Sequence, residues 1–116
     1  MRILILDDDP MVSRGLERML RRRHTVTLAR EPKEALAILH EDKAFDAILC
    51  DLHLAGTTGR AFYGELSRAA PELVPRVVFM TGGTTDPGDQ AFLNNHLSLT
   101  KPFNVTELEE LLPQSQ

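Results

Sequence analysis

Acidic residues follow two of the most apolar segments of this 116-residue chain. Asp7 and Asp8 come directly after the apolar run 3–6, and Asp51 comes directly after the run 47–50. Three carboxylates held close together raise one another's pKa unless a cation lies among them. Carboxylate oxygens suit a hard cation such as Mg²⁺, which keeps part of its water shell for a phosphate. An aspartate can also act as a nucleophile and form an aspartyl phosphate. These residues therefore indicate a magnesium site that supports phosphoryl transfer.

A hydroxyl group and an amine occur at comparable places. Thr81 and Gly82 follow a third apolar run, 77–80, and Lys101 with Pro102 follows a weaker one, 97–100. A lysine can neutralise the charge of a transferring phosphoryl group, and a threonine hydroxyl can donate a hydrogen bond to it. Both residue types fit the chemistry that the aspartates indicate.

The elements that must position these residues alternate along the chain. Short continuous apolar runs predict strands buried on both faces at 3–6, 47–50 and 77–80, with weaker strands at 25–29 and 97–100. Capping residues and prolines predict helices from 10 to about 22, from 32, over 60–69, from 87 and over 104–112. The alternation predicts one α/β domain over residues 1–116, with a doubly wound five-stranded parallel sheet and helices on both faces. Ligands bind at the carboxyl ends of such strands, so the polar residues above are expected to converge there.

The same residues, in this order and spacing, resemble the response-regulator receiver family of two-component systems. The resemblance covers the whole chain, and it rests on these segments: Asp7-Asp8, Asp51, Gly59, Thr81-Gly82 and Lys101-Pro102-Phe103. It implies a flavodoxin-like fold with the strand order 2-1-3-4-5. The segments around 77–83, 91–93 and 101–103 look most similar to receivers of hybrid histidine kinases.

The resemblance also implies a role for each matching residue. Asp51 is the expected phosphoacceptor, and Asp8 and Asp51 are the expected direct ligands of Mg²⁺, together with the backbone carbonyl of His53. Asp7 is expected to hold metal-bound water. The remaining roles are phosphate binding and switching at Thr81 with Gly82, phosphate pairing at Lys101, and a cis peptide bond before Pro102.

The function that the resemblance implies is signalling rather than turnover of a substrate. The phosphoryl donor is expected to be a histidine kinase, a phosphotransfer domain or a small acyl phosphate. The phosphorylated chain is then expected to bind a downstream protein whose identity the sequence does not give.

Three features depart from the family pattern. The family often has proline at the position of Ala55, so a looser loop is expected after Asp51. It commonly carries an aromatic switch residue three positions before the lysine, where this chain has Ser98. The last helix also looks short. The departure at Ser98 puts the usual coupling between the threonine and an aromatic side chain in doubt.

Other conspicuous residues have structural interpretations. Cys50 is expected to be a small buried hydrophobic residue, and the His53 side chain is expected to lie exposed in a loop. Arg21-Arg22-Arg23 is expected to complement the carboxyl end of the first helix rather than to bind nucleic acid.

Composition narrows the class of protein further. The formal net charge is −4, which argues against a general nucleic-acid-binding surface. A single cysteine excludes an internal disulfide and favours a reducing, cytoplasmic compartment. No apolar run has the roughly 20 residues needed to cross a bilayer, and the start of the chain is typical of a first strand rather than of a signal peptide. The tail 113–116 is expected to be frayed.

Three alternative functions remain open on the residues alone. A phosphatase of the haloacid-dehalogenase type shares the Asp-x-Asp pattern, but Met11 stands where that family has threonine or valine. A flavodoxin-like cofactor binder needs a phosphate loop where the aspartates stand, and they would repel a phosphate. A pseudo-receiver, which binds partners without being phosphorylated, agrees with Ser98 but not with the complete set of acids, Thr81 and Lys101.

Overall fold

The computed structural model describes residues 1–54, 56–83 and 86–112. Its elements follow in the order β1 (Arg2–Leu6), α1 (Pro10–Leu20), β2 (Thr25–Ala29), α2 (Pro32–Glu41), β3 (Ala47–Asp51), β4 (His53–Leu54), β5 (Thr57–Thr58), α3 (Gly59–Ala69), a 3₁₀-helix (Pro71–Arg76), β6 (Val77–Thr81), α4 (Pro87–Asn94), β7 (Ser98–Thr100) and α5 (Val105–Leu111). The looser loop expected at Ala55 and the frayed tail expected at 113–116 lie outside the described residues.

Five of the strands form one parallel sheet in the order β2-β1-β3-β6-β7. Counting only these five strands along the chain gives the order 2-1-3-4-5, so the predicted doubly wound sheet is confirmed. The central strands β1, β3 and β6 are buried on both faces, as their continuous apolar runs indicate. Because all five strands are parallel, their carboxyl ends lie at the same edge of the sheet.

Alternate residues of each central strand enter two separate cores. One core lies beneath α2, α3 and α4 and contains Leu4, Ile48, Phe62 and Phe79, while the other lies beneath α1 and α5 and contains Ile5, Leu49 and Leu108. Burial of this apolar surface at about 25 cal/mol per Å² is the main force that fixes the strand register.

Side-chain caps set the start of four helices. The Asp9 carboxylate accepts from the Met11 amide at α1, and Asp86 accepts from the Gly88 amide at α4. At α5 the predicted capping box is present, since Asn104 and Glu107 each accept from the other's amide. At α3 the Thr58 hydroxyl oxygen accepts from the Ala61 amide. These contacts satisfy amides that a helix leaves without an internal partner.

The structure adds elements that the sequence did not indicate. β4 and β5 pair as a short antiparallel hairpin after β3, and a 3₁₀-helix joins α3 to β6. Helix α1 ends at Leu20, two residues before the predicted end, and Arg21 to Arg23 form turns instead. The guanidinium of Arg23 lies 3.1 Å from a carboxylate oxygen of Glu109, so this arginine joins the turn after α1 to α5.

Candidate functional site

The three aspartates meet at the carboxyl edge of the sheet. Asp7 and Asp8 follow β1, and Asp51 is the last residue of the neighbouring strand β3. One carboxylate oxygen of each lies within 4.8 Å of those of the other two, and no other group of this kind occurs among the residues that the structure describes. Asp7 is fully buried, Asp51 is 9% exposed and Asp8 is half-buried. The cluster is therefore open to solvent on the side of Asp8.

Lys101 places a cation inside this cluster. Its Nζ lies 3.2 Å from Asp7 Oδ2 and 3.2 Å from Asp51 Oδ2. Its backbone amide donates to the Thr81 carbonyl at 2.7 Å, which continues the pairing of β7 with β6 beyond Thr100. The peptide bond from Lys101 to Pro102 is cis. The extended pairing thus directs the lysine side chain across β6 to the end of β3.

The Asp51 carboxylate is held at both oxygens. Oδ1 accepts from the backbone amide of His53 at 3.1 Å, while Oδ2 lies against the ammonium of Lys101. Gly59 packs so closely against the backbone of Asp51 that an added Cβ would lie 2.5 Å from the Asp51 carbonyl oxygen. The orientation of the carboxylate is therefore fixed by backbone and charge before any ligand binds.

Burial and neighbouring charges shift two pKa values in the cluster. The pKa of Asp7 is raised, chiefly because the residue is buried and also because the Asp51 charge lies nearby, and hydrogen bonds from the Asp9 amide and Lys101 only partly offset this. Burial alone would lower the pKa of Lys101, but the charges of Asp51 and Asp7 outweigh it and the pKa is raised. The lysine is therefore charged at neutral pH. A further cation would reduce the electrostatic repulsion that remains between the carboxylates.

Thr81 lies at the end of β6 and is 4% exposed. Its hydroxyl oxygen accepts from the Gly83 amide at 3.0 Å, so the hydroxyl hydrogen remains available to another acceptor. Gly83 has φ of 110°, a conformation that disfavours side chains, and Gly82 is exposed. The threonine therefore sits at the start of a turn that depends on glycine.

Ser98 occupies β7 opposite Phe79 of β6 and is half-buried. The aromatic ring nearest to it in the chain is that of His96, which stacks on Phe92 of α4 with ring centres 4.0 Å apart. Tyr63 of α3 meets the His96 ring edge-on at 4.8 Å. The His96 ring also lies 5.8 Å from Phe79, the residue of β6 that pairs with Ser98, but β7 itself carries no aromatic ring.

Cys50 is buried and the His53 side chain is exposed, as expected, but His53 lies in strand β4 rather than in a loop. Cys50 is fully buried, and burial, with the charges of Asp51 and Asp7, raises the pKa of its thiol, which disfavours the reactive thiolate. The His53 side chain is 58% exposed. Its Nε2 nevertheless lies 3.6 Å from Asp89 Oδ2, and Arg60 lies 3.4 Å from Asp89 Oδ1.

The contact between Asp89, His53 and Arg60 was not predicted from the sequence. Asp89 is a buried carboxylate in α4, although its sequence neighbours Gly88 and Gln90 are exposed. Asp89 stands three residues before Phe92 and so shares a face of α4 with it, but this spacing does not identify the partners of the carboxylate.

The arrangement as a whole fits a divalent cation and a phosphate. Three carboxylates offer hard oxygen ligands, one of them reachable from solvent, and their mutual repulsion is relieved by positive charge. A fixed ammonium and a threonine hydroxyl lie beside them. Such groups can stabilise negative charge on a phosphoryl group next to an oriented carboxylate.

A model of the response regulator receiver domain family matches residues 3–113 of this chain. The chain therefore belongs to the response regulator receiver domain family of two-component systems. Receiver domains of this family bind Mg²⁺ at an acidic pocket.

Curated relatives agree with this assignment. The chain is 34% identical over 87 residues to the two-component response regulator ARR14 of Arabidopsis thaliana, a match that covers 73% of this chain and 23% of that protein. It is 30% identical over 115 residues to the transcriptional regulatory protein ZraR of Salmonella typhimurium, covering 97% and 26%. This chain thus spans about a quarter of the length of these relatives.

Solved structures share the fold. The chemotaxis protein CheY4 of Vibrio cholerae superposes with a TM-score of 0.81 at 23% identity, over 96% of this chain and 98% of that one. The response regulator TrrA of Thermotoga maritima, crystallised in complex with Mg²⁺ and BeF, gives 0.76 at 23% identity over 94% and 93%. At this identity the similarity shows the flavodoxin-like fold. Among the described residues, no helix is both long and apolar enough to cross a membrane.

Proposed function

We propose that residues 1–116 form a receiver domain in which Asp51 accepts a phosphoryl group in a Mg²⁺-dependent reaction. One observation carries the proposal: the Asp51 carboxylate is oriented by the His53 amide, paired with Lys101 at 3.2 Å and grouped with Asp7 and Asp8. A carboxylate serving only as a surface residue would not need three other charged groups around it. The domain acts as a signalling phosphoacceptor and not as an enzyme that turns over a separate substrate.

The reaction requires little of the protein beyond position and charge. An Asp51 oxygen attacks phosphorus and forms a new oxygen–phosphorus bond. At the same time the phosphorus–nitrogen bond of a phosphohistidine, or the phosphorus–oxygen bond of an acyl phosphate, breaks and its electron pair leaves on the donor. The His53 amide and Lys101 hold the carboxylate in one orientation, which lowers the entropic part of the barrier.

Other residues of the chain act on the phosphoryl oxygens. The ammonium of Lys101 pairs with one of them, and the Thr81 hydroxyl donates to another, since only its oxygen is engaged by Gly83. Asp8, Asp51 and the His53 carbonyl would hold Mg²⁺ directly, with Asp7 on metal-bound water. When bound, the ion supplies further neutralisation of phosphoryl charge.

A groove beside the site suits a protein donor. It has a volume of about 290 Å³, lies between α1 and the turn after β7, and is lined by Met11, Val12, Gly15, Leu16, Met19, Lys101, Pro102 and Phe103. Met11 is 83% exposed and is the more exposed of the two large apolar side chains that lie at the surface among the described residues. Because Lys101 borders both the groove and the site, a helix of a histidine kinase or phosphotransfer domain seated there would bring its phosphohistidine to Asp51.

Intact mass measurement tests the central proposal. Incubation with acetyl phosphate and Mg²⁺ should add one phosphoryl group to the wild type, and addition of EDTA should prevent it. Asp51→Asn should abolish the added mass, while Asp46→Asn, an exposed aspartate at the other end of β3, should retain it. Labelling that persists in Asp51→Asn would contradict the assignment, and no labelling of the wild type would favour the pseudo-receiver.

The donor groove has its own test. Met11→Glu should leave labelling by acetyl phosphate unchanged, because the small donor does not need the groove. Transfer from a phosphorylated histidine phosphotransfer domain should slow at least several-fold, because a buried carboxylate would oppose docking. Equal rates from the protein donor in both variants would exclude this groove as its docking site.

A further inference from the structure

A second group of ionisable side chains joins helix α4 to the segment that follows Asp51. Asp89 of α4 is 8% exposed, and its two carboxylate oxygens face different partners. Oδ1 lies 3.4 Å from a guanidinium nitrogen of Arg60, and Oδ2 lies 3.6 Å from His53 Nε2. We refer to Arg60, His53 and Asp89 as the α4 tether.

Arg60 contacts more of α4 than its ion pair. Its guanidinium carbon lies 5.3 Å from the centre of the Phe92 ring, which is within the range of a cation–π contact. A Cβ added to Gly88 would lie 3.4 Å from the same guanidinium, so the missing side chain leaves room for the arginine. Arg60 therefore spans three positions on one face of α4.

Both partners of Asp89 extend from backbone that touches Asp51. The amide of His53 donates to Asp51 Oδ1 at 3.1 Å. Arg60 follows Gly59, where an added Cβ would lie 2.5 Å from the Asp51 carbonyl oxygen and whose amide donates to the Leu52 carbonyl at 2.8 Å. The tether thus provides a route from Asp51 to α4 that does not pass through Thr81 or β7.

We propose that the α4 tether holds α4 in the arrangement of the unphosphorylated protein and is weakened when Asp51 is phosphorylated. This inference rests on the proposed function of Asp51. A phosphoryl group on Asp51 carries about 1.5 to 2 negative charges where the free carboxylate carried one, next to the backbone that carries Arg60 and His53. It therefore competes with Asp89 for the guanidinium and changes the contacts that α4 makes in the two states, which a switch requires.

The tether is a modest interaction, and its expected effect is modest as well. The Arg60 side chain is 45% exposed, so solvent screens its pairing with Asp89. Loss of the tether should change the balance between the two states by about two- to fivefold. By linkage, the same factor applies to the affinity for a ligand that mimics the phosphoryl group.

The experiment compares Asp89→Asn, Arg60→Met and the double variant with the wild type. Affinity for beryllofluoride in the presence of Mg²⁺ should rise about two- to fivefold in Asp89→Asn, which loses both partners, and by less in Arg60→Met, which leaves His53 beside Asp89. The double variant should resemble Asp89→Asn, because that change alone already removes the tether. Amide exchange in Pro87–Asn94 should be faster in the variants without beryllofluoride. Asp42→Asn is the matched control, since it removes the same charge from the Arg2–Asp42 pair and should leave the affinity unchanged.

An unchanged or lowered beryllofluoride affinity in Asp89→Asn would overturn the proposal, because the tether would then be structural only. Additive effects of the two single changes would also overturn it. Acetyl phosphate labelling of the same variants keeps this outcome separate from the proposed function. Wild-type protein that is not labelled contradicts the role of Asp51, whereas labelled variants with unchanged affinity contradict the tether alone.

Discussion

The ammonium of Lys101 lies 3.2 Å from a carboxylate oxygen of Asp51, although their strands are separated by β6 in the sheet. The pairing raises the pKa of Lys101 despite the partial burial of the lysine. The cation is thus held in place by the carboxylates whose repulsion it offsets. Replacement of the lysine or of one of the carboxylates should therefore change the free energy of unfolding, which denaturation experiments measure.

Replacement of the lysine tests its electrostatic role in folding. Lys101→Met should lower the free energy of unfolding by about 1–2 kcal/mol in EDTA, because Asp7 and Asp51 lose a cation at a site where the lysine is still 24% exposed. Addition of Mg²⁺ should recover part of the loss. Urea denaturation measures both effects, and Lys33→Met on the exposed start of α2 is the control. Equal stability of Lys101→Met and wild type in EDTA would show that the pairing contributes nothing to folding.

The raised pKa of Asp7 predicts a dependence of stability on pH. Because the folded state holds this proton more tightly than the unfolded chain, stability should fall as pH rises from about 3.8, the ordinary value, through the raised pKa. Asp7→Asn removes the titration while its amide oxygen can still accept from the Asp9 amide. In EDTA at pH 7 the variant should therefore melt a few degrees higher than the wild type, and the difference should vanish at low pH. A lower melting temperature at pH 7 would mean that the pairing with Lys101 outweighs the cost of burial.

A comparison of Asp8→Asn with Asp9→Asn distinguishes the loss of metal binding from the loss of one negative charge. At a Mg²⁺ concentration about ten times its Kd, the ion should stabilise the wild type by about 1.4 kcal/mol. Asp8→Asn should lose this stabilisation because Asp8 belongs to the carboxylate group, whereas Asp9→Asn should keep it because Asp9 caps α1. Thermal melts with and without Mg²⁺ give the comparison within each variant. Equal stabilisation of both variants would place the ion elsewhere.

The sequence predicted the parts of the fold that depend on local pattern. The short continuous apolar runs predicted the central strands, and Asp9-Pro10, Asp86-Pro87 and Asn104 predicted helix starts that the structure confirms. The hairpin of β4 and β5 was missed because two-residue strands carry no periodicity and form only where the packing of the loop permits.

The candidate site was predictable to a different degree. Parallel strands bring their carboxyl ends to one edge, so the meeting of Asp7, Asp51 and Lys101 followed from the order of the elements. The contacts of Asp89 could not be predicted, because they depend on how α3 and α4 pack against each other. Nothing in the local sequence specifies that packing.

Gly59 lies close to the backbone of Asp51, whereas Gly64 has free space around it. Replacement of each glycine by alanine should therefore change the free energy of unfolding in opposite directions. Gly59→Ala should destabilise the protein by about 2 kcal/mol, since the new Cβ would lie 2.5 Å from the Asp51 carbonyl oxygen and 3.1 Å from Leu52 Cα. Gly64→Ala should instead stabilise by about 0.5–1 kcal/mol, because its Cβ meets nothing closer than a flexible arginine at 4.0 Å. Chemical denaturation of both variants is the measurement. A neutral Gly59→Ala would mean that the backbone behind Asp51 yields easily.

The last prediction concerns where the phosphorylation signal leaves the site. Family members commonly couple the threonine to an aromatic side chain on the last strand, and Ser98 cannot fill the same space or bury comparable area. The ring of His96, which lies outside β7, stacks on Phe92 of α4 and lies 5.8 Å from Phe79 of β6, so no aromatic ring stands on β7 itself. Thr81 by contrast begins a turn in which Gly82 and Gly83 leave the backbone free to change conformation.

We therefore expect the face formed by α4, β7 and α5 to remain the output surface, with residues 82–88 carrying most of the conformational change. Thr84 and Thr85 in that segment lie outside the described residues. Amide exchange with and without beryllofluoride should change more between Thr81 and Gly88 than between Leu97 and Thr100, because the two states of a switch must differ where they contact the phosphoryl group. Asp51→Asn, which should not bind the mimic, provides the baseline. A larger change in β7 than in residues 81–88 would show that the route along the last strand operates without its aromatic residue.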